Sequence, residues 1–176
     1  MKKATTLAWI AGFSLLDQVI KIIIQSRFLE TRFDIVPHLL EFRPKYNFDY
    51  SYVNQTLNLG MTRWGTILLT IFLGVVFLWV YRLFRHYSKH KRGWDWGFVF
   101  VFSALICALL SHFFWEGVLD YIYLKPLFIF DLKDVYGWTG VICVWISQIR
   151  DYRDGVRITW EEVKARFKIH NKKGSE

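Results

Sequence analysis

The chain has 176 residues, of which 53% are hydrophobic and 19% aromatic, and its mean hydropathy is +0.21. These values exceed those of a soluble domain of this length and favour a membrane class. The formal charge of +8 does not indicate nucleic acid, because the basic residues lie between long apolar runs and do not share a folded surface with base-stacking aromatics.

The first apolar run, Ala4 to Ile24, is close to the ~20 residues that carry a helix across ~30 Å of hydrocarbon. It contains Asp17, Gln18 and Lys21 and lacks the short uncharged core and small-residue cleavage site of a signal peptide, so it reads as a retained span. Asp17 and Lys21 are four apart, share a helix face and can pair, which marks a polar interior. In the connection that follows, Tyr46, Phe48, Tyr50 and Tyr52 alternate with Asn47, Asp49 and Ser51. That period of two predicts a strand, within a small sheet on the outer membrane surface.

A second span is predicted from Trp64 to Leu83, a third from Trp94 to about Trp115, and a shorter fourth from Val135 to Ile149. Lysine and arginine sort the connections. Lys2 and Lys3, the group Arg82, Arg85, Lys89, Lys91 and Arg92, and the tail from Arg150 form the inner set, which places both termini in the cytoplasm. Trp64, Trp94, Trp96, Trp115 and Trp138 stand near span ends, as interface anchors to membrane lipids. In the tail, Thr159-Trp160-Glu161-Glu162 reads as a capping box opening a short helix to about Lys168.

The predicted architecture is an all-α membrane protein of four transmembrane helices with a small outer β-sheet. Residues 1–149 form the four-span domain and 150–176 a basic cytoplasmic tail with a short helix. Cys107 and Cys143 lie inside apolar runs as small hydrophobes. His86 and His90 have a ligand-like spacing, yet no Cys, Asp or Glu stands beside them to complete a site, so no metal is expected.

Asp120 and Asp134 bracket the short connection between spans three and four, so the antiparallel spans bring them to one depth. Two carboxyls sharing a site repel, and one of them is driven to hold a proton; a charged base can then activate water while its protonated partner polarises a carbonyl. The alternative is that Asp131 or Asp134 caps the fourth helix and Asp120 is a solvated loop charge.

In their order along the chain these residues resemble the motifs of the lipoprotein signal peptidases (signal peptidase II), four-span bacterial membrane aspartic proteases. Asp17-Gln18-Val19-Ile20-Lys21 matches the Asp-Gln-x-x-Lys of the first span, and Gly117-Val118-Leu119-Asp120-Tyr121 resembles the segment bearing the first catalytic aspartate. Phe130-Asp131-Leu132-Lys133-Asp134 resembles Phe-Asn-x-Ala-Asp, which ends on the second. The family's Asn-x-Gly is matched by Asn58-Leu59-Gly60, with Asn47 a rival asparagine.

The chain departs from the pattern on the third span, where Cys107-Ala108-Leu109-Leu110-Ser111-His112 replaces Gly-Asn-x-x-Asp-Arg, leaving His112 or Glu116 as candidates to compensate. Asp131 and Lys133 replace the asparagine and the alanine before the second aspartate.

The resemblance implies an endopeptidase of the bacterial cytoplasmic membrane, acting on diacylglyceryl-modified prolipoproteins. Asp120 and Asp134 would be catalytic. Asp17, Gln18, Lys21, Asn47, Asn58, Gly60, His112, Glu116 and Asp131 would bind substrate or order the site. It implies no metal or cofactor, no nucleic acid, and a monomer. A catalytically silent relative that binds lipoproteins or assists another membrane enzyme is the other reading of the missing third-span motif and of Lys133. A small transporter fits less well, since the charges cluster toward the outer face and no broken inverted-repeat helices are visible.

Overall fold

The computed structural model describes residues 1–50 and 52–156, so the predicted tail helix beginning at Thr159 lies outside the described residues. Among the described residues, three helices are long and apolar enough to cross a membrane: α1 (Lys3–Ile23) extended by a π-helical turn to Phe28, α3 (Arg63–Tyr87) and α4 (Lys91–Phe114). A short α2 (Tyr52–Leu57) precedes α3. The predicted fourth span is occupied by α5 (Leu132–Arg153), whose charged ends, Lys133 and Asp134 before and Arg150, Asp151 and Arg153 after, leave a shorter apolar stretch between them.

Burial in the bundle is reversed from that of a water-soluble protein. Asp17, Lys21, Ser103 and Asp131 have no exposed surface, while Leu68, Phe72, Trp138 and Trp145 are more than 60% exposed. Apolar residues turned outward and ionisable ones turned inward are what a hydrocarbon solvent selects.

The helix α4 is central. Phe13 of α1 stacks on Phe100 at 5.2 Å and meets Tyr136 of α5 at 5.1 Å, and Phe77 of α3 stacks with Phe98 at 6.4 Å. Against α5, α4 runs antiparallel along a seam of small residues: Gly93 faces Ser147, Gly97 faces Val144, and Gly140 faces Val101. A Cβ at Gly97 would stand 2.5 Å from Val144 Cγ2, and one at Gly140 would stand 2.8 Å from the Val101 backbone nitrogen. Backbones this close gain van der Waals packing that any larger residue would cancel.

Gly140→Val is therefore expected to pry α4 from α5 and destabilise the bundle by about 2–3 kcal/mol. A thermal midpoint in detergent equal to that of the wild type would contradict this seam.

At the end of the bundle away from the sheet, Asp95 binds Arg85, the Tyr81 hydroxyl (2.8 Å) and the Met1 amine. Asp151 accepts the Lys89 and His90 backbone N–H groups (2.9 and 3.2 Å) and the Trp94 indole N–H (3.3 Å), fixing the turn between α3 and α4.

Four antiparallel strands form one sheet in the order β1 (Phe33–Val36), β2 (Leu40–Asn47), β3 (Val118–Leu124), β4 (Phe128–Phe130). The strand expected over residues 46–52 is thus displaced, since β2 ends at Asn47. There the Asn47 side-chain oxygen accepts the Asp49 N–H at 2.9 Å, forming an Asx turn, and Tyr50 takes a φ of 63° before α2 begins. Half of the sheet, β3 and β4, comes from the connection between the third and fourth predicted spans, where no strand was predicted.

Candidate active site

Asp120 lies on β3, and its position is set by the ladder with β2, which pairs Lys45 with Asp120, Tyr46 with Leu119 and Asn47 with Val118. Leu119 and Tyr121 pack with Ile24 and Trp115 in a buried cluster, anchoring the strand to the ends of α1 and α4. Asp120 is itself buried, with 7% of its surface exposed, and is not the solvated loop charge of the alternative reading.

Asp131 and Asp134 open α5 as a capping box made wholly of aspartates. The Asp134 N–H donates to Asp131 Oδ1 (3.3 Å) and the Asp131 N–H donates to Asp134 Oδ2 (3.0 Å). Capping and membership of a carboxylate site are therefore combined in the same residues. Asp120, Asp131 and Asp134 each bring a carboxylate oxygen within 4.8 Å of the others.

Two lysines thread these acids together. Lys133 Nζ lies 2.9 Å from Asp131, 3.2 Å from Asp120 and 3.4 Å from Asp134. Lys21, entirely buried, lies 2.7 Å from Asp131 and 3.1 Å from Asp17, and donates to Ser111 Oγ at 3.1 Å. The result is an alternating chain from Asp17 through Lys21, Asp131 and Lys133 to the pair Asp120 and Asp134.

Burial drives the Asp120 carboxyl up to about 6; Lys133 opposes that rise, and the charge on Asp131 adds to it. Burial acts on Asp131 in the same direction, but Lys133 and Lys21 together overcome it and hold this carboxyl at about 2. Burial likewise pushes Asp134 up to about 7 against the pull of Lys133, so Asp131 is kept ionised while both members of the pair titrate near neutrality.

Asp120 opens on a cleft of about 490 Å³ shared with Asn47, Phe48 and Phe128. Tyr46 and Phe48 separate it from a second cleft of about 620 Å³, lined by Gln18, Gln25, Trp115 and Glu116. Gln18 donates to Asp17 at 2.9 Å and accepts the Trp115 indole N–H at 3.0 Å. Asn58 and Gly60 lie on an exposed loop, both at positive φ (47° and 63°), and line neither cleft.

His112 is buried with its ring edge-on to Tyr50 at 5.8 Å, and its carbonyl accepts from Arg63. Glu116 is exposed on the second cleft. Neither joins the lysine-linked acids through these contacts.

Sequence reasoning did not single out Ser111 or Asn54. Asn54 donates to the Asp49 (2.7 Å) and Met61 (3.1 Å) carbonyls and accepts the Met61 N–H (3.0 Å), tying the loop beside the first cleft. An amide in a run of polar and aromatic residues carries no signal of that role.

A bundle of membrane-length helices with a lysine-threaded carboxylate cluster at one end, under a small sheet, defines an integral membrane protein built around a buried ionic site. The chain belongs to the signal peptidase II family: residues 9–150 match the family model described as Signal peptidase (SPase) II. It is 27% identical over 148 residues to a lipoprotein signal peptidase of Bartonella tribocorum (strain CIP 105476 / IBS 506), covering 81% of this chain and 84% of that one. With the lipoprotein signal peptidase of Bartonella henselae (strain ATCC 49882 / DSM 28221 / CCUG 30454 / Houston 1) the identity is 25% over 134 residues, covering 73% and 76%.

Among solved structures, the fold is like that of a bacterial membrane enzyme determined by the in meso method at 2.3 Å resolution. The TM-score is 0.65 and the identity 17%, over 89% of this chain and 94% of that one. A second structure of the same description, at 1.9 Å, gives a TM-score of 0.64 at 17% identity, over 85% and 95%. Family membership places the protein in bacterial membranes and in lipoprotein processing.

Proposed function

We propose that this protein is an aspartic endopeptidase of the bacterial cytoplasmic membrane that removes the signal peptide from diacylglyceryl-modified prolipoproteins, on the amino side of the lipid-bearing cysteine. The observation that carries this reading is the convergence of Asp120 and Asp134, from separate elements, within 4.8 Å of one another and of Asp131. A carboxylate of the pair takes a proton from water as the water oxygen attacks the scissile carbonyl. The proton then passes to the leaving amine.

The charge balance supports such proton traffic. Four carboxylates (Asp17, Asp120, Asp131, Asp134) face two ammonium groups (Lys21, Lys133), so the cluster can accept a proton without gaining net positive charge. Asn47 shares a cleft with Asp120 and is the better placed of the two asparagines to hold the substrate backbone.

In this reading α5 is a fourth crossing. Its 22 residues rise about 33 Å, and they run back along α4 through the small-residue seam. The sheet lies on the outer surface, both termini are cytoplasmic, and the enzyme works as a monomer.

The test is cleavage of a lipidated prolipoprotein in detergent by the wild type, Asp120→Asn and Asp134→Asn. The wild type is expected to cut and both variants to fail. A folded wild type that binds substrate without cutting would reject peptidase activity.

A second reading, a silent lipoprotein-binding relative, is favoured by Lys133, whose ammonium contacts both carboxylates of the pair. It predicts binding without turnover, and separate titration of Asp120 and Asp134.

A further inference from the structure

Lys133 is an unusual occupant of a carboxyl pair. Asp120 lines the first cleft, and the Lys133 ammonium lies 3.2 Å behind it on a side chain that is 11% exposed. The ammonium is in reach of all three acids, one on β3, one capping α5 and one in its first turn. The other charged or titratable groups that interact with it are Asp17 on α1, Tyr121 on β3 and His112 on α4, with Lys21 of α1 behind Asp131. The negative charge in contact with it is that of the three aspartates, and Asp17 adds a fourth carboxylate beyond Lys21.

In a carboxyl pair without a cation, one shared proton relieves the repulsion, and that same proton must later polarise the carbonyl. A lysine in contact with both carboxylates opposes the repulsion with a charge that is not given up during the reaction. We infer that Lys133 takes over the role of the shared proton, so that above neutral pH Asp120 and Asp134 work with both carboxylates ionised and the ammonium polarises the scissile carbonyl. This assignment rests on the peptidase reading.

The step balances without an acid in the resting pair. A carboxylate removes a proton from water as the new C–O bond forms, and its neutralisation frees one of the three Lys133 N–H donors for the carbonyl oxygen, onto which the π electrons move. Collapse then breaks the C–N bond, and the carboxyl returns its proton to the amine. Lys133 remains charged throughout. Its loss would not strand Asp131, which keeps Lys21 at 2.7 Å, so Lys133→Met is expected to fold.

The experiment is the pH dependence of kcat for prolipoprotein cleavage by the wild type, Lys133→Met and Lys133→Arg. The wild type is expected to hold its kcat within about twofold between about pH 7 and about pH 9. Lys133→Met should cleave near pH 6 and lose roughly tenfold or more over that interval, because its pair needs a bound proton that alkali removes. Lys133→Arg should restore the flat limb, with KM little changed in all three.

Cleavage with parallel alkaline limbs in the wild type and Lys133→Met would overturn the assignment of Lys133 alone, as would a faster Lys133→Met with an unchanged profile. Absence of cleavage by every form would overturn the peptidase reading as well. Infrared difference spectra give a measure independent of turnover: a protonated carboxyl band that Asp120→Asn or Asp134→Asn removes should persist at about pH 8 only in Lys133→Met. Its presence in the wild type at that pH would overturn the assignment of Lys133.

Discussion

Lys21→Met is expected to destabilise the protein by about 3–5 kcal/mol, the cost of leaving buried charge without its counter-ion. Lys21 is wholly enclosed, and its ammonium reaches Asp131 at 2.7 Å, Asp17 at 3.1 Å and Ser111 at 3.1 Å. Without it, Asp17 keeps only the Gln18 amide at 2.9 Å among the partners described above. Asp131 would still have Lys133 at 2.9 Å. The penalty therefore falls chiefly on Asp17, and Lys21→Met combined with Asp17→Leu should recover more than half of the loss. Denaturation in mixed micelles reads both variants. A single variant as stable as the wild type would mean that water reaches Asp17 and that the interior is wetter than its burial indicates.

Asp120→Asn should separate activity from stability. Under the proposed peptidase function, cleavage is expected to fall by about 10²–10⁴-fold, the usual contribution of a positioned acid or base. Stability at neutral pH is expected to rise. The folded protein holds the Asp120 proton up to about 6 against an ordinary value of 3.8, so it binds that proton more tightly than the unfolded chain does and loses stability as pH climbs between those values.

Asparagine has no proton to lose. Its advantage should be absent below about pH 4 and complete above about pH 6, with a ceiling of about 3 kcal/mol reduced by the lost Lys133 contact. Unfolding midpoints of the two proteins across that range measure it directly. A variant less stable at neutral pH than at low pH, relative to the wild type, would show that ionised Asp120 is a net asset to the fold.

Local spacing made part of this site legible in the sequence. Asp17 and Lys21 are one helical turn apart, and they meet at 3.1 Å. Asp131 and Asp134 have the spacing of a capping box, and that box is present at the start of α5. What sequence reasoning posed as a choice between capping and a carboxylate site is resolved by geometry into both, because the cap turns the Asp134 carboxylate toward Asp131.

Non-local features could not be read in this way. That Lys21 and Lys133 would both reach Asp131 depends on α1 and α5 meeting at one depth, a contact between residues more than a hundred positions apart. The strand β3 was concealed by its own chemistry, since an aspartate inside Val118–Leu124 reads as a motif before it reads as a strand. The alternation of aromatics after Asn47 suggested a strand that the Asx turn prevents. The helix of the fourth predicted span is present, but its charged ends keep it from the composition of the other three.

The ladder between β2 and β3 has a consequence for biosynthesis. Everything that Asp120 needs is divided between two lengths of chain: the first carries β2, Asp17 and Lys21, and the second carries β3, Asp131, Lys133 and Asp134. While the second half is still on the ribosome, Asp17 and Lys21 neutralise one another within a single helix, so the first segment can enter lipid before its final partner exists. Arrival of Asp131 then recruits Lys21 into the finished network. The site is an interlock: its acids and lysines are brought together only when α5 is in place against the rest of the bundle.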